Sequence, residues 1–508
     1  MHINVKRNFF FNVIYGFFNK FLVIILQFVL RTVVIKVLGE QYIGLNGLFS
    51  SILQFLSLAE LGFGTALVQS MYEPIAQNDD NTISNILGMY KKFLSIIGFG
   101  ILFIGMAMIP LIPFLIKDAN YPSELNIFLI YFLYLLNTSI SYGVLAYRGL
   151  LFSAHQKNAE ISKVNVVVNV ILYSLQIAVV VFCKNYYFLV LLYPVATFLQ
   201  NLCITRKAKK MFPQYFVGKG QVKYCSEIIK KTKALIGQRI YGAIIHSADT
   251  ITISAFMGLT VTAIYGNYYY IIQGIFSFLD IILLSLLAGI GNNLIVKTRE
   301  ENYKNFADIT FLYNWVITVC ASCLLSLFQP FMKIWMGEDL LFKEDVMILI
   351  VIYFYLWKMK DTIALYKDAK GLWWEDRYRP YICAMVDIIL NILLIQKWGV
   401  KGVFAATIIS DVGISFPWSV RVLYKEYFKD QEINYYKDTL IYVLKAVGIS
   451  FITYLISGCV LCTTYIDLIV LAILCFVVSN ILLLLVNIRS VRFKNIVHRL
   501  KIELQRTQ

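Results

Sequence analysis

The sequence predicts an all-α integral membrane protein of about fourteen transmembrane helices, and three observations carry that expectation. The first is composition. Of 508 residues, 59% are hydrophobic and only 15% charged, against roughly 25% charged in soluble domains. A water-soluble chain covers its surface with polar groups, and here there are too few. The second is a series of apolar runs of about 20 residues, the length at which a helix crosses the hydrocarbon. No alternating strand pattern interrupts them. Inside lipid every backbone N–H and C=O has to be satisfied within the segment, so these runs are helices. The third is a lopsided placement of Lys and Arg, described below. A soluble enzyme, a disordered chain and a secreted disulfide scaffold are excluded.

Each element follows from these rules. A short basic segment (Lys6, Arg7) precedes an apolar stretch from Phe9 to Val37, interrupted by Lys20 and Arg31. It is too long for a signal-peptide core and no small-residue cleavage site follows it, so a retained first span over 9–35 is expected. Spans two to six are expected over 43–71, 86–116, 126–150, 163–183 and 187–206. Residues 207–233 form a basic connection, with nine Lys and Arg counted from Arg206, expected to touch anionic lipid headgroups. Spans seven to twelve follow over 234–257, 262–294, 307–332, 346–367, 379–396 and 401–423. Two more, 440–462 and 466–488, precede a basic tail. The domain expectation is thus an N-terminal bundle over 1–206, the connection over 207–233 and a second bundle over 234–424. Two additional helices over 425–488 and a tail over 489–508 complete it.

Net charge is +16, from 46 Lys and Arg against 30 Asp and Glu. Counting charges near span ends with the adjoining connection, 33 of the 46 fall on the even-numbered connections and the termini, and seven on the opposite side. The positive-inside rule then puts both termini in the cytoplasm, which requires an even number of spans. Charge confined to connections in this way argues against nucleic acid as a partner. The outer connections are short, the longest running from about Lys333 to Asp345. The nine cysteines include two CxxC pairs, Cys320/Cys323 and Cys459/Cys462. They lie in or at the ends of helices with no ligand partners nearby, and packing explains them. The four His are scattered, so no His-rich metal site is expected. No P-loop, Gly-rich dinucleotide turn or serine nucleophile elbow occurs, so no nucleotide cofactor or enzymatic activity is assigned. Tyr268-Tyr269-Tyr270 and Trp373-Trp374 fall near span ends, where an interfacial aromatic belt is expected.

An ionisable side chain at bilayer depth is costly and faces a cavity or a partner. Lys20 and Arg31 lie about three helical turns apart and so share a face of span one. Arg239, His246 and Asp249 form a stripe on span seven. Lys358 and Asp361 are i,i+3 neighbours on span ten, with Lys360 beside them. Glu60 lies near the middle of span two. Lys20, Arg31, Arg239, Lys358 and Lys360 could surround a polyanionic group such as a pyrophosphate, with Arg offering paired donors. Glu60, Asp249 and Asp361 could balance those charges or hold a coupling cation, Na+ or H+. Internal salt bridges, or snorkelling of long side chains to the interface, are the alternative. A faint repeat accompanies these residues. Arg31 precedes Gly39, and Tyr42-Ile43-Gly44 opens span two. Asp249 precedes Gly258, and Ile264-Tyr265-Gly266 opens span eight. Both units run in the same direction, the pattern of parallel repeats in transporters.

The run Arg31…Leu38-Gly39-Glu40-Gln41-Tyr42-Ile43-Gly44-Leu45-Asn46-Gly47-Leu48-Phe49 continues in Leu58-Ala59-Glu60-Leu61-Gly62-Phe63-Gly64. It resembles the N-terminal signature of bacterial polysaccharide transporters, the Wzx-type flippases of O-antigen, capsule and exopolysaccharide repeat units. Tyr72-Glu73-Pro74-Ile75-Ala76 and Tyr90-Lys91-Lys92 extend the likeness. Asp249-Thr250-Ile251-Thr252-Ile253-Ser254, with Gly258, Ile264-Tyr265 and Asn267, is similar to that family's span 7–8 motif. The resemblance implies a MATE-like fold of two six-helix bundles around a central cavity plus two C-terminal helices. It implies translocation of an undecaprenyl-pyrophosphate-linked oligosaccharide from the inner to the outer leaflet of the bacterial plasma membrane. Glycosyltransferases and a polysaccharide polymerase would then be pathway partners. A teichoic-acid precursor or lipid II flippase would share the mechanism. An ion-coupled multidrug exporter of the same fold would favour twelve spans and an acidic cavity. A membrane-bound polymerase or glycosyltransferase would need a long extracytoplasmic loop.

Overall fold

A computed structural model describes residues 5–57, 63–219, 242, 244–429, 432–490 and 492–498. Each of the fourteen expected spans contains helix, and no strand occurs among the described residues. Nine helices are individually long and apolar enough to cross a membrane, or ten if one bent pair counts as a single span, among the described residues. The described chain divides into two compact units, Met1–Gly266 and Asn267–Gln508.

In the first unit, α1 (Val5–Val37) packs along α7 (Asn158–Ala178), and α4 (Asp80–Met108) and α8 (Tyr186–Met211) flank α5 (Ile127–Gly143). The second expected span carries α2 (Glu40–Leu56) and α3 (Phe63–Gln77). The core joins these helices through Leu45, Phe49, Ile52, Tyr131, Leu135 and Val190. On the opposite side of α4, Ile96, Phe99 and Phe103 are 71–73% exposed, as expected for side chains whose solvent is lipid rather than water. A bend of 46° separates α5 from the helical run Ala146–Ala154, which ends in α6 (Gly149–Ala154). Breaking a helix inside a membrane frees carbonyls that lipid cannot satisfy. Side chains of α8 supply the donors: Asn201 to the Val144 carbonyl at 2.8 Å and Thr205 to that of Leu145 at 2.9 Å.

Helix α9 (244–257) is followed by α10 (Leu259–Val296). Gly39 and Gly258, the paired breaks of the repeat, have φ of +120° and +88°, backbone that favours glycine. An added Cβ at Gly44 would lie 2.2 Å from the Leu259 carbonyl oxygen, so only glycine lets α2 approach the start of α10 so closely.

The second unit continues α10 into α11 (Arg299–Met336), which packs against α12 (Glu344–Met359), α17 (Glu432–Ser457) and α18 (Tyr465–Asn487). The tenth expected span is broken into α12 and α13 (Asp361–Lys370), with Lys360 at the joint. After α14 (Arg379–Trp398) comes α15 (Val400–Ser410), which runs through a wide π turn (Asp411–Ser415) into α16 (Phe416–Leu423). A second π turn, Tyr424–Phe428, ends it. Tyr268 corrects the interfacial-belt expectation: it is fully buried and donates to Gln329 Oε1 at 2.8 Å, because a tyrosine inside a bundle can bury its ring if its hydroxyl finds an acceptor.

Candidate functional site

In the first unit α1, α2, α7 and α8 enclose a pocket of about 160 Å³ lined by Arg31, Gln27, Asn46, Tyr173, Tyr186 and Tyr193, with Leu30, Val34, Ile43 and Leu189. Its wall is a hydrogen-bonded set. Gln27 donates to the Tyr173 hydroxyl at 2.8 Å. Tyr186 donates to the Tyr42 carbonyl at 3.0 Å, and its oxygen lies 3.1 Å from the Tyr134 hydroxyl. Tyr42 in turn donates to Glu124 in the connection between α4 and α5, and this bond holds the Glu124 carboxyl below its usual range. Phenol and amide groups fixed in this way present oriented donors and acceptors beside one half-buried guanidinium. That chemistry suits hydroxyl-rich and phosphorylated groups.

The repeat's two charged residues bracket the same point of α10. An added Cβ at Gly266 would lie 3.1 Å from Arg31 Nη2, so the absent side chain leaves room for the guanidinium. The neighbouring Tyr265 hydroxyl lies 3.4 Å from Asp249 Oδ2. Asp249 is 4% exposed, and His246 sits with its ring centroid 6.3 Å from that of Tyr265. Lys20 is exposed on α1. Glu60 and Arg239 lie outside the described residues.

The second unit holds its cations differently. Lys358 is buried and bonds Asp280 at 2.6 Å and Asp361 at 2.9 Å, with the Tyr313 hydroxyl donating to the same Asp361 oxygen at 2.9 Å. Its ammonium also sits 4.4 Å from the centre of the Phe276 ring. Lys360 pairs with Asp411 at the first π turn and lies 3.9 Å from the Trp357 ring centre. Both lysines read from the sequence as cavity cations therefore carry a carboxylate partner, since a bare ammonium at this depth costs more than a paired one. Further along, Arg379 grips Asp376 with Nε and Nη2 and reaches Ser415 at 2.8 Å, while Lys367 pairs with the same Asp376. Asp376 lies in the connection after α13. Burial works upward on its carboxyl, but Arg379 and Lys367 outweigh it and hold the group below its ordinary range.

Sequence reasoning missed the acidic partners Asp280 and Asp411, although each interrupts an apolar run just as Lys358 does. It also missed Gln27, Asn46 and the pocket tyrosines, whose convergence has no one-dimensional signal.

Residues 9–287 match the family described as Polysaccharide biosynthesis protein. No curated protein matches the sequence. Among solved structures, the lipid II flippase MurJ in an inward closed conformation superposes with a TM-score of 0.66 at 16% identity, covering 93% of this chain and 98% of that one. An inward-facing multidrug resistance MATE family transporter of the MOP superfamily gives a TM-score of 0.58 at 13% identity, over 79% and 94% of the two chains. A mutant of the Vibrio cholerae MATE transporter VcmN gives 0.57 at 13% identity, over 84% and 98%. These solved structures are of transporters, not of enzymes. At such identities they establish the fold, which is MATE-like and all-α. The chain is a multi-pass membrane protein and belongs to the polysaccharide biosynthesis protein family.

Proposed function

We propose that the protein is a flippase that moves an undecaprenyl-pyrophosphate-linked oligosaccharide repeat unit from the inner to the outer leaflet of a bacterial plasma membrane. The observation that supports this best is Arg31, set among Gln27, Asn46 and three tyrosines in one pocket. A sugar pyrophosphate needs a cation beside oriented hydroxyl and amide groups, and a plain apolar drug needs neither. In this reading the bundles are 1–206 and 234–424, with 425–488 as an accessory pair and 207–233 and 489–508 as cytoplasmic basic segments. Lys20 and Arg239 add positive charge along the path. Lys358 and Lys360 have a lesser part, because a phosphate would have to displace Asp361 or Asp411 to reach them. Asp249 and Glu60 are the groups for a coupling Na+ or H+. Alternating access moves the headgroup while the polyprenyl tail stays in lipid, so no hydrocarbon has to enter the polar pocket.

The pathway that supplies the cargo is assembly by glycosyltransferases, and the one that consumes it is a polysaccharide polymerase. Reconstitution tests the cargo class. In proteoliposomes, a polyprenyl-pyrophosphate oligosaccharide should become accessible to an external glycosidase only when the protein is present. Equal access without the protein, or equal transport of a polyprenyl oligosaccharide lacking the pyrophosphate, would reject the reading.

A further inference from the structure

The second unit has another cavity, unrelated to the Arg31 pocket and independent of the proposed cargo. It measures about 640 Å³ and lies where α15–α16 meets the first turn of α17 and the connection after α13. That volume is within the roughly 300–1,000 Å³ of small-molecule sites. Its lining is of both signs: Arg421 and Lys425 against Glu375, Glu426 and Glu432, with Trp418 and Tyr436 among them. The two π turns that border α16 open onto it, the first through Gly413 and the second through Lys425 and Glu426. Single π turns inside a helix recur at functional sites, because the extra residue re-aims the side chains around it. At Gly413 an added Cβ would meet nothing within 4 Å, so the cavity lies open in front of that residue.

We propose that this cavity binds the headgroup of a zwitterionic phospholipid bearing a primary ammonium, of the phosphatidylethanolamine class. Three features point there. The charges do not sum to a positive site, so an anionic headgroup meets three carboxylates for two cations. A phosphate on Arg421 and Lys425 with an ammonium on the glutamates satisfies both sets at once. The ion pair already present cannot compete strongly: Lys425 and Glu426 stand 3.9 Å apart, and their side chains are 76% and 38% exposed, a geometry that contributes little. Trp418 and Tyr436 are the amphipathic rings that settle at headgroup level, and the Tyr436 ring is fixed edge-on to Phe416 at 5.8 Å. The same end of the unit carries the basic residues that the positive-inside rule puts in the cytoplasm, so the lipid is one of the inner leaflet.

The test is lipid retention by the full chain. The protein is placed in nanodiscs of equal phosphatidylethanolamine and phosphatidylglycerol, and the lipids that survive gentle release are weighed by native mass spectrometry. We expect phosphatidylethanolamine to be enriched about threefold over its bulk ratio, the preference that one exposed charge pair supplies. Gly413→Leu, which fills the opening, and Arg421→Gln should each return the ratio to bulk. Glu426→Gln combined with Glu432→Gln should swing it toward phosphatidylglycerol. A bulk ratio or phosphatidylglycerol enrichment in the unmodified protein overturns the proposal, whatever the variants do. So does enrichment that persists in Gly413→Leu protein, or soluble phosphoethanolamine competing as well as the lipid.

Discussion

Arg31 and Lys358 show how two cations in apolar helices come to differ. Arg31 faces a pocket of amide and phenol groups, whereas Lys358 is clasped by two carboxylates, an aromatic ring and a tyrosine that supports one of those carboxylates. Removing the lysine leaves Asp361, largely buried, without its counter-charge, and that is the costly half of a broken pair. Asp280 is half exposed and can be solvated, so the loss sits at the low end. Lys358→Ala should destabilise the protein by about 3 kcal/mol, seen as a lowered unfolding midpoint in detergent, whereas Lys20→Ala on an exposed position should leave the midpoint unchanged. Equal midpoints for the two variants would show that the Lys358 cluster does not hold the second unit together.

At the scale of elements, the apolar runs marked where the long helices lie but not where helices break. Hydropathy over a window averages across Lys360, so α12–α13 reads as one span. The π turns at 411–415 and 424–428 are invisible for the same reason: they change hydrogen-bond register without changing composition. The glycines that open both repeat units were legible as a pattern, and their physical meaning came with the contacts. Gly44→Ala puts a methyl group against a backbone carbonyl that cannot swing aside and should cost about 1–3 kcal/mol. Gly100→Ala on α4, where a Cβ meets nothing within 4 Å, should instead stabilise by up to about 1 kcal/mol through helix propensity. Thermal unfolding of the two variants checks the pair, and destabilisation by both would remove the close approach as the cause.

For the whole molecule, composition and charge asymmetry made the membrane fold legible, because bilayer insertion constrains residue type along the entire chain. The binding pocket was legible only in part. Arg31 stands out as a charge in an apolar run, but Tyr173, Tyr186 and Tyr193 are unremarkable in sequence and meet only when α7 and α8 pack beside α1. Orientation remains a consequence of charge counting and can be read directly. A single cysteine placed at Glu338, in the connection after α11, should react with a membrane-impermeant maleimide on intact cells whose protein lacks other exposed thiols. One placed at Lys304, near the start of α11, should react only after the membrane is opened. The reverse pattern would invert the topology and with it the direction of transport.

The central claim is that the guanidinium of Arg31 receives a phosphorylated, sugar-bearing lipid headgroup. Its most direct test is transbilayer movement of that lipid in proteoliposomes carrying Arg31→Ala, with protein content and folding matched to the unmodified chain. We expect transport to fall by tenfold or more, the order of one lost charge-assisted contact of about 1.5–3 kcal/mol, and Arg31→Lys to restore only part of it because the planar fork is gone. Transport by Arg31→Ala at the unmodified rate would contradict the account.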